Sequence, residues 1–351
     1  MGVMMFVMMR AIPRGDRRER AERADEPRGD DELTRATNVK KGRRAQAPPP
    51  KPQRTPSLSL VFFGVLAVVA LLAIGGLLWL SADGGEETFS GVPAEDPGPV
   101  HVHGLGVNPA DNALFIATHT GLYRVDEGER KAERVGDRYQ DTMGFTIVGP
   151  NRFLGSGHPD VNEAQEKNLP SHLGLIESTD EGENWESNSL LGEADFHVLR
   201  FAGDRVYGYD ASNDRLLVSS DRGRSWNELE KPGPLVDLAV DPADGRRIVV
   251  ATAGGVEEGL FESRDGGESW DRIGEAVGLL AWPERLYLID GGGQVFASID
   301  GGRRLAAQGE LGGQPAALVA EGARELYAAL HDGTIKRSTD GGATWTVRST
   351  P

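Results

Sequence analysis

From about residue 100 to the end of the sequence, apolar side chains come in short runs. Leu114-Phe115-Ile116-Ala117, Ile248-Val249-Val250-Ala251 and Leu326-Tyr327-Ala328-Ala329 are examples. The runs are rich in β-branched and aromatic residues, and Gly, Pro, Asp or Asn brackets them, which is the pattern of short strands joined by tight turns. The strands are expected at 101–107, 113–118, 121–125 and 133–135, then 142–148, 152–155 and 173–178, then 196–202, 205–209 and 215–219. They continue at 236–240, 247–252 and 259–263, at 278–282, 285–289 and 294–298, and at 316–320, 325–330, 334–338 and 346–348.

A second pattern punctuates the first. Ser338-Thr339-Asp340-Gly341-Gly342-Ala343-Thr344-Trp345 reads Ser-x-Asp-x-Gly-x-x-Trp, and the frame recurs around Asp180, Asp221 and Asp265. It returns around Asp300 with Leu305 in place of Trp, and in worn form around Asp126. The aspartates are spaced by 54, 41, 44, 35 and 40 residues. A period near forty filled with short strands is the mark of a propeller. The expected fold is therefore all-β, a six-bladed β-propeller of four-stranded blades over 98–351. The box has a structural chemistry. Its carboxylate can accept N–H groups of its own turn, its Gly takes a backbone angle that other residues resist, and its Trp buries a large ring. The widest interval holds an extra loop, 159–171, and long loops in compact domains are often functional.

The front of the chain is different. Residues 1–57 are charged, Pro-rich and poor in aromatics, and are expected to be a disordered basic tail. Residues 58–80 form a run of 23 without a charge, long enough to span a bilayer as one helix. Lys40, Lys41, Arg43, Arg44, Lys51 and Arg54 precede it, while Asp83, Glu86 and Glu87 follow. That asymmetry predicts a single-pass signal anchor in the cell membrane, with the tail cytoplasmic, a linker at 81–97 and the propeller extracytoplasmic. Of 38 basic and 54 acidic residues, the tail holds 14 and 8, which leaves 24 and 46 in the remainder, net −22. So acidic a domain repels phosphate, and no nucleic-acid partner is expected. The chain has no cysteine, which excludes disulfides, thiolate metal ligands and a cysteine nucleophile.

The repeated Ser-x-Asp-x-Gly-x-x-Trp resembles the Asp-box, or BNR, repeat of sialidases. Residues 100–351 resemble bacterial membrane-anchored, glycosyl hydrolase-like BNR proteins, with the stretches 101–107, 141–145 and 154–160 as hallmarks. The resemblance implies a propeller, and leaves two functions open. One is a glycoside hydrolase, with Asp141, Asp160, Asp195 and Asp210 as candidate carboxylates. The other is a binding module for a protein or glycan, as in similar propellers that assist photosystem assembly. The family's first arginine belongs where this chain has His101-Val102-His103-Gly104, so no sialidase site carries over.

The histidines are more telling. In such a blade the start of the innermost strand and the loop between strands two and three share one face, while the boxes lie on the other. All seven histidines (101, 103, 119, 158, 172, 197 and 331) fall at the former positions. Aligned inner strands set His103, Met143 and His197 at one level, and His101, Asp141 and Asp195 two residues before them, on the same strand face. The ligand-binding candidates are thus His101, His103, His119, Asp141, Met143, His158, Asp195 and His197. A transition metal held by His103, Met143 and His197 is the sharpest expectation. Thioether beside imidazole suits copper, and carboxylate beside imidazole suits zinc. The alternative is that these groups join blade to blade, with Met143 filling core.

Overall fold

The structure is a computed structural model and describes residues 96–351. The tail at 1–57, the apolar span at 58–80 and the linker at 81–97, but for its last two residues, lie outside the described residues. Among the described residues no helix is long and apolar enough to cross a membrane.

Six four-stranded antiparallel sheets follow one another along the chain. Blade 1 is β1 (Val102–Val107), β2 (Leu114–Thr118), β3 (Gly121–Val125) and β4 (Glu133–Arg134). Blade 2 is β5 (Asp141–Gly149), β6 (Arg152–His158), β7 (Leu175–Ser178) and β8 (Glu186–Ser189). Blade 3 is β9 (Phe196–Ala202), β10 (Arg205–Asp210), β11 (Arg215–Ser219) and β12 (Asn227–Leu229). Blade 4 is β13 (Leu235–Asp241), β14 (Asp244–Thr252), β15 (Gly259–Ser263) and β16 (Asp271–Gly274). Blade 5 is β17 (Gly278–Ala281), β18 (Leu286–Asp290), β19 (Gln294–Ser298) and β20 (Ala306–Glu310). Blade 6 is β21 (Pro315–Glu321), β22 (Glu325–Leu330), β23 (Ile335–Ser338) and β24 (Thr346–Ser349). The loop expected at 159–171 holds a short helix, α1 (Val161–Lys167), capped by Asp160.

The first strands of the blades neighbour one another around a central channel, and β21 packs back on β1. Stacking blades face to face buries both sides of the second strands, so β2 is buried throughout and apolar up to Thr118, while outer strands such as β12 are mostly polar and exposed. One apolar cluster fills each seam. Leu154, Leu175 and Phe196 join blades 2 and 3, and Val102, Leu105 and Ile116 meet Ala317, Tyr327 and Ala329 between blades 1 and 6. Among the described residues no strand is exchanged to close the ring. Arg348 instead reaches the carbonyls of Asp126, at 2.7 Å, and of Glu129, and Ser349 Oγ donates to Arg130 O at 2.8 Å.

The Ser-x-Asp-x-Gly turns join third to fourth strands. In the Asp180 copy, Ser178 Oγ donates to Asp180 Oδ1 (2.9 Å) and accepts Gly182 N–H (2.8 Å). Asp180 Oδ1 accepts Asn184 N–H at 2.9 Å. Glu181 and Gly182 both take positive φ, 65° and 89°, which explains the glycine. The turn's tryptophan leans on the preceding blade: Trp226 Nε1 donates to Ser189 Oγ of blade 2 at 2.9 Å. The copy at Asp126 lacks the serine, and its carboxylate accepts Arg124 Nε at 2.6 Å instead.

Candidate functional site

The site begins with a defect repeated in the ladders. Between β1 and β2 the register slips at His103, and between β5 and β6 it slips at Met143 and Gly144. It slips again at His197, at Val236 and at Ala316. Each is a β-bulge, which leaves a residue out of the pairing and re-aims its side chain. All five bulge side chains line one cavity of about 260 Å³, with Arg200, Tyr209 and Asp237 in its wall. Blades 1 to 3 thus present His, Met and His to the cavity, where blades 4 and 6 present Val and Ala.

At the seam of blades 1 and 2, polar groups converge. His119, just past β2, lies edge-on to His103 with ring centroids 4.3 Å apart, and His101 is 5.5 Å from it. His119 Nδ1 is 2.9 Å from Asp141 Oδ1. The contact has the distance of an ion pair without the alignment of a hydrogen bond, so Asp141 Oδ1 is buried with no hydrogen-bond partner, and so is His103 Nε2. One donor atom from each of His103, His119 and Asp141 lies within 4.8 Å of the others. Burial, with His119 beside it, pushes His103 down to about 4, so its ring is neutral at pH 7. Pairing with the Asp141 carboxylate raises His119 against the pull of burial. Gly157 holds Asp141 in place from behind: its φ is +136°, and a Cβ there would strike the Asp141 carbonyl.

A related group sits at the seam of blades 2 and 3. Asp195 is 4% exposed, and its Oδ1 is buried without a partner. Its Oδ2 is 3.0 Å from His197 Nε2 and 3.7 Å from His158 Nε2. Burial alone would raise the Asp195 carboxyl, but the hydrogen bond from His197 and the potential of the nearby imidazoles hold it below the usual range. His172 stands behind His158, with ring centroids 5.5 Å apart.

The other candidates fall elsewhere. Asp160 caps α1 through Asn162 N–H (2.8 Å) and Glu163 N–H (3.1 Å), and accepts Tyr139 N–H at 3.0 Å. Asp210 is fully buried, bound to Asp195 N–H at 3.1 Å and to Arg215 at 2.7 Å. Both carboxylates hold loops in shape, which leaves Asp141 and Asp195 as the acids beside the channel mouth. His331 belongs to blade 6, where its amide donates to Gln314 O at 3.2 Å. His103, Met143 and His197 do share the cavity, but the donors that converge to ligand spacing are His103, His119 and Asp141. The reason is the stacking of the blades. The loop after strand two of one blade faces the first strand of the next, a contact no single-blade alignment contains.

No family model matches the chain. It is 28% identical over 164 residues to a xyloglucanase from Paenibacillus sp., a match over 41% of this chain and 15% of that protein. This chain therefore spans a small part of that relative. Among solved structures, a chain of the Nidogen/Laminin complex superposes with a TM-score of 0.51 at 15% identity, over 68% of this chain and 93% of that one. The GH74 xyloglucanase of Xanthomonas campestris gives 0.47 at 18% identity, over 71% and 45%. YCF48 bound to D1 peptide gives 0.46 at 16%, over 72% and 83%. At these identities the likeness is one of fold.

Proposed function

We propose that this chain is a binding module that takes a divalent transition-metal ion at the channel mouth, with His103, His119 and Asp141 as ligands. One observation carries the reading: three donors converge within 4.8 Å, while His103 Nε2 and Asp141 Oδ1 are buried without partners. Buried polar atoms are nearly always satisfied, so an unpartnered His103 Nε2 beside a His119–Asp141 pair 2.9 Å apart supports a cation as the group they receive. Two imidazoles and a carboxylate suit zinc, and Met143 on the next bulge adds the thioether that copper favours. Three protein ligands would leave a tetrahedral ion one further coordination position. A carboxylate or imidazole of a protein ligand, or a glycan hydroxyl, would complete the shell. The apolar run at 58–80 and its flanking charges support display of the module outside a cell membrane.

Calorimetric titration of the untagged full chain with Zn²⁺ and Cu²⁺ tests this. The seven histidines all lie in the propeller, so the tail adds no imidazole background. His103→Ala and Asp141→Asn are each expected to weaken the tightest site at least tenfold. Unchanged binding in both variants, or no binding by the wild type, overturns the reading.

A second reading, glycoside hydrolysis, is favoured by the 28% identity to a xyloglucanase. It assigns Asp141 and Asp195 as the acid and base. Release of reducing ends from xyloglucan, abolished by Asp141→Asn or Asp195→Asn, would establish it, and no release would dismiss it.

A further inference from the structure

We propose that the seam between blades 2 and 3 carries a second transition-metal site, made by His158, Asp195 and His197, which repeats the first site one blade on. The proposal rests on the reading of the first seam and extends it.

The equivalence is written in the strand registers. Leu105 pairs with Ile116 in blade 1, and Phe145, at the same level, pairs with Gly155 in blade 2. Counting outward along each second strand, His119 and His158 occupy the same position. Asp141 and Asp195 are likewise equivalent, two residues before the bulges at Met143 and His197. Each seam therefore sets a histidine at the end of the second strand of one blade, or just past it, against an aspartate at the mouth of the next. The third donor differs. The first seam takes His103 from the earlier bulge. In the second seam that place is Met143, and the later bulge supplies His197.

The local geometry supports a ligand rather than a finished hydrogen-bond network. Asp195 is 4% exposed, yet Oδ1 has no partner, while Oδ2 faces two imidazoles and accepts Ser212 Oγ at 3.4 Å. His158 Nδ1 lies 2.8 Å from Ser171 O, and a carbonyl only accepts, so Nδ1 carries the hydrogen. Nε2, the other ring nitrogen, lies 3.7 Å from Asp195 Oδ2. Fixing the tautomer through a backbone carbonyl is how metal-ligating histidines are usually oriented. The supporting loop is also set: Leu173 N–H donates to Gly157 O at 2.9 Å, and Asp160 anchors α1 between His158 and Ser171.

Binding displaces one existing contact. His197 Nε2 is hydrogen-bonded to Asp195 Oδ2 at 3.0 Å, so its hydrogen must move to Nδ1 before Nε2 can ligate. His158 and His197 side chains are both 38% exposed, which leaves them room to swing onto the ion. The second site is therefore less pre-organised than the first and fills after it.

The test is a Zn²⁺ titration of the untagged full chain by calorimetry, with circular dichroism to confirm that each variant is folded. Two sites are expected, the second at least tenfold weaker. His158→Ala with His197→Ala should remove the weaker site and keep the tighter. His103→Ala with His119→Ala should do the reverse. A single ion lost with His103→Ala and indifferent to the His158/His197 pair overturns this proposal and spares the first. No ion at all overturns both. Two ions of which neither responds to the His158/His197 pair also overturns it.

Discussion

Asp237 is the most demanding carboxylate in the channel wall, and its removal gives a measurable prediction. It is 4% exposed on β13, and its oxygens hold three inner strands together. Oδ1 accepts Leu238 N–H and Arg200 Nη2 of β9, both at 2.7 Å, and Oδ2 accepts Leu280 N–H of β17 at 2.8 Å. Asp237→Ala leaves the Leu280 amide bare in a fully buried position, which costs about 1–3 kcal/mol. It also strips Arg200 of its partner. A fully buried broken pair costs about 3–5 kcal/mol, but the Arg200 side chain is 28% exposed and can rehydrate, so about 1 kcal/mol is the fair share. The expected loss is about 2–4 kcal/mol. Asp237→Asn keeps one acceptor oxygen and should lose about half of that. Urea unfolding at pH 7, followed by both tryptophan fluorescence and circular dichroism, measures it, and coincident curves license the two-state analysis. Lys131→Ala, at a side chain 82% exposed, is the control and should move stability by no more than about 0.5 kcal/mol. If Asp237→Ala costs no more than the control, the lock between blades 3, 4 and 5 does not exist.

Three further outcomes are expected. Hydrogen bonds within their own turns hold the carboxyls of Asp180, Asp221, Asp265, Asp300 and Asp340 below the usual range, Asp340 at about 2. Their folded values lie below the unfolded value of about 3.9, so their stabilisation is complete above that pH and is lost as pH falls toward 2. The gap in melting temperature between wild type and Asp340→Asn should hold from pH 7 to about 4 and then shrink, and a gap constant to pH 2 would contradict this. Gly157→Ala drives a Cβ into the Asp141 carbonyl, so it should weaken the tightest metal site more than Gly203→Ala, where a Cβ meets open space; equal affinities would separate the site from its backbone support. Asp160→Ala removes the cap of α1 and should cost about 1 kcal/mol, read as faster amide exchange over Val161–Lys167 and at Tyr139, whose N–H it also holds, with the remaining segments unchanged.

The blade count was legible because the Ser-x-Asp-x-Gly turns must be spelled out in sequence. Two consecutive left-handed residues and an aspartate caged by its own turn tolerate few substitutes. The outer strands were much less legible. Glu186–Ser189, Asn227–Leu229 and Asp271–Gly274 are short and mostly polar and exposed, with single inward groups such as Leu229 and Ile273, so they lack the alternation that reveals a half-buried strand. Only the fourth strands of blades 1 and 6 were expected. Helix α1 escaped for a similar reason: none of its residues is buried, and Asp160 is its one clear mark. In the site, the common level of His103, Met143 and His197 could be read by aligning inner strands. That the chain bulges there could not, since a bulge is a relation between two strands. The contact of His119 with Asp141 was hidden more deeply, because it exists only once one blade has stacked on the next.

The way the ring closes bears on how the protein is made. Blade 1 meets blade 6 through Val102, Leu105 and Ile116 against Ala317, Tyr327 and Ala329, and blade 6 is built wholly from residues after 314. Roughly 200 residues separate the two halves of that seam, so at about 5–20 residues per second the ribosome exposes the first half for about 10–40 s before the second exists. Throughout that time the nascent protein is an open arc with an apolar flank at each end. Its most vulnerable moment on the way to the folded state is the wait for its last blade.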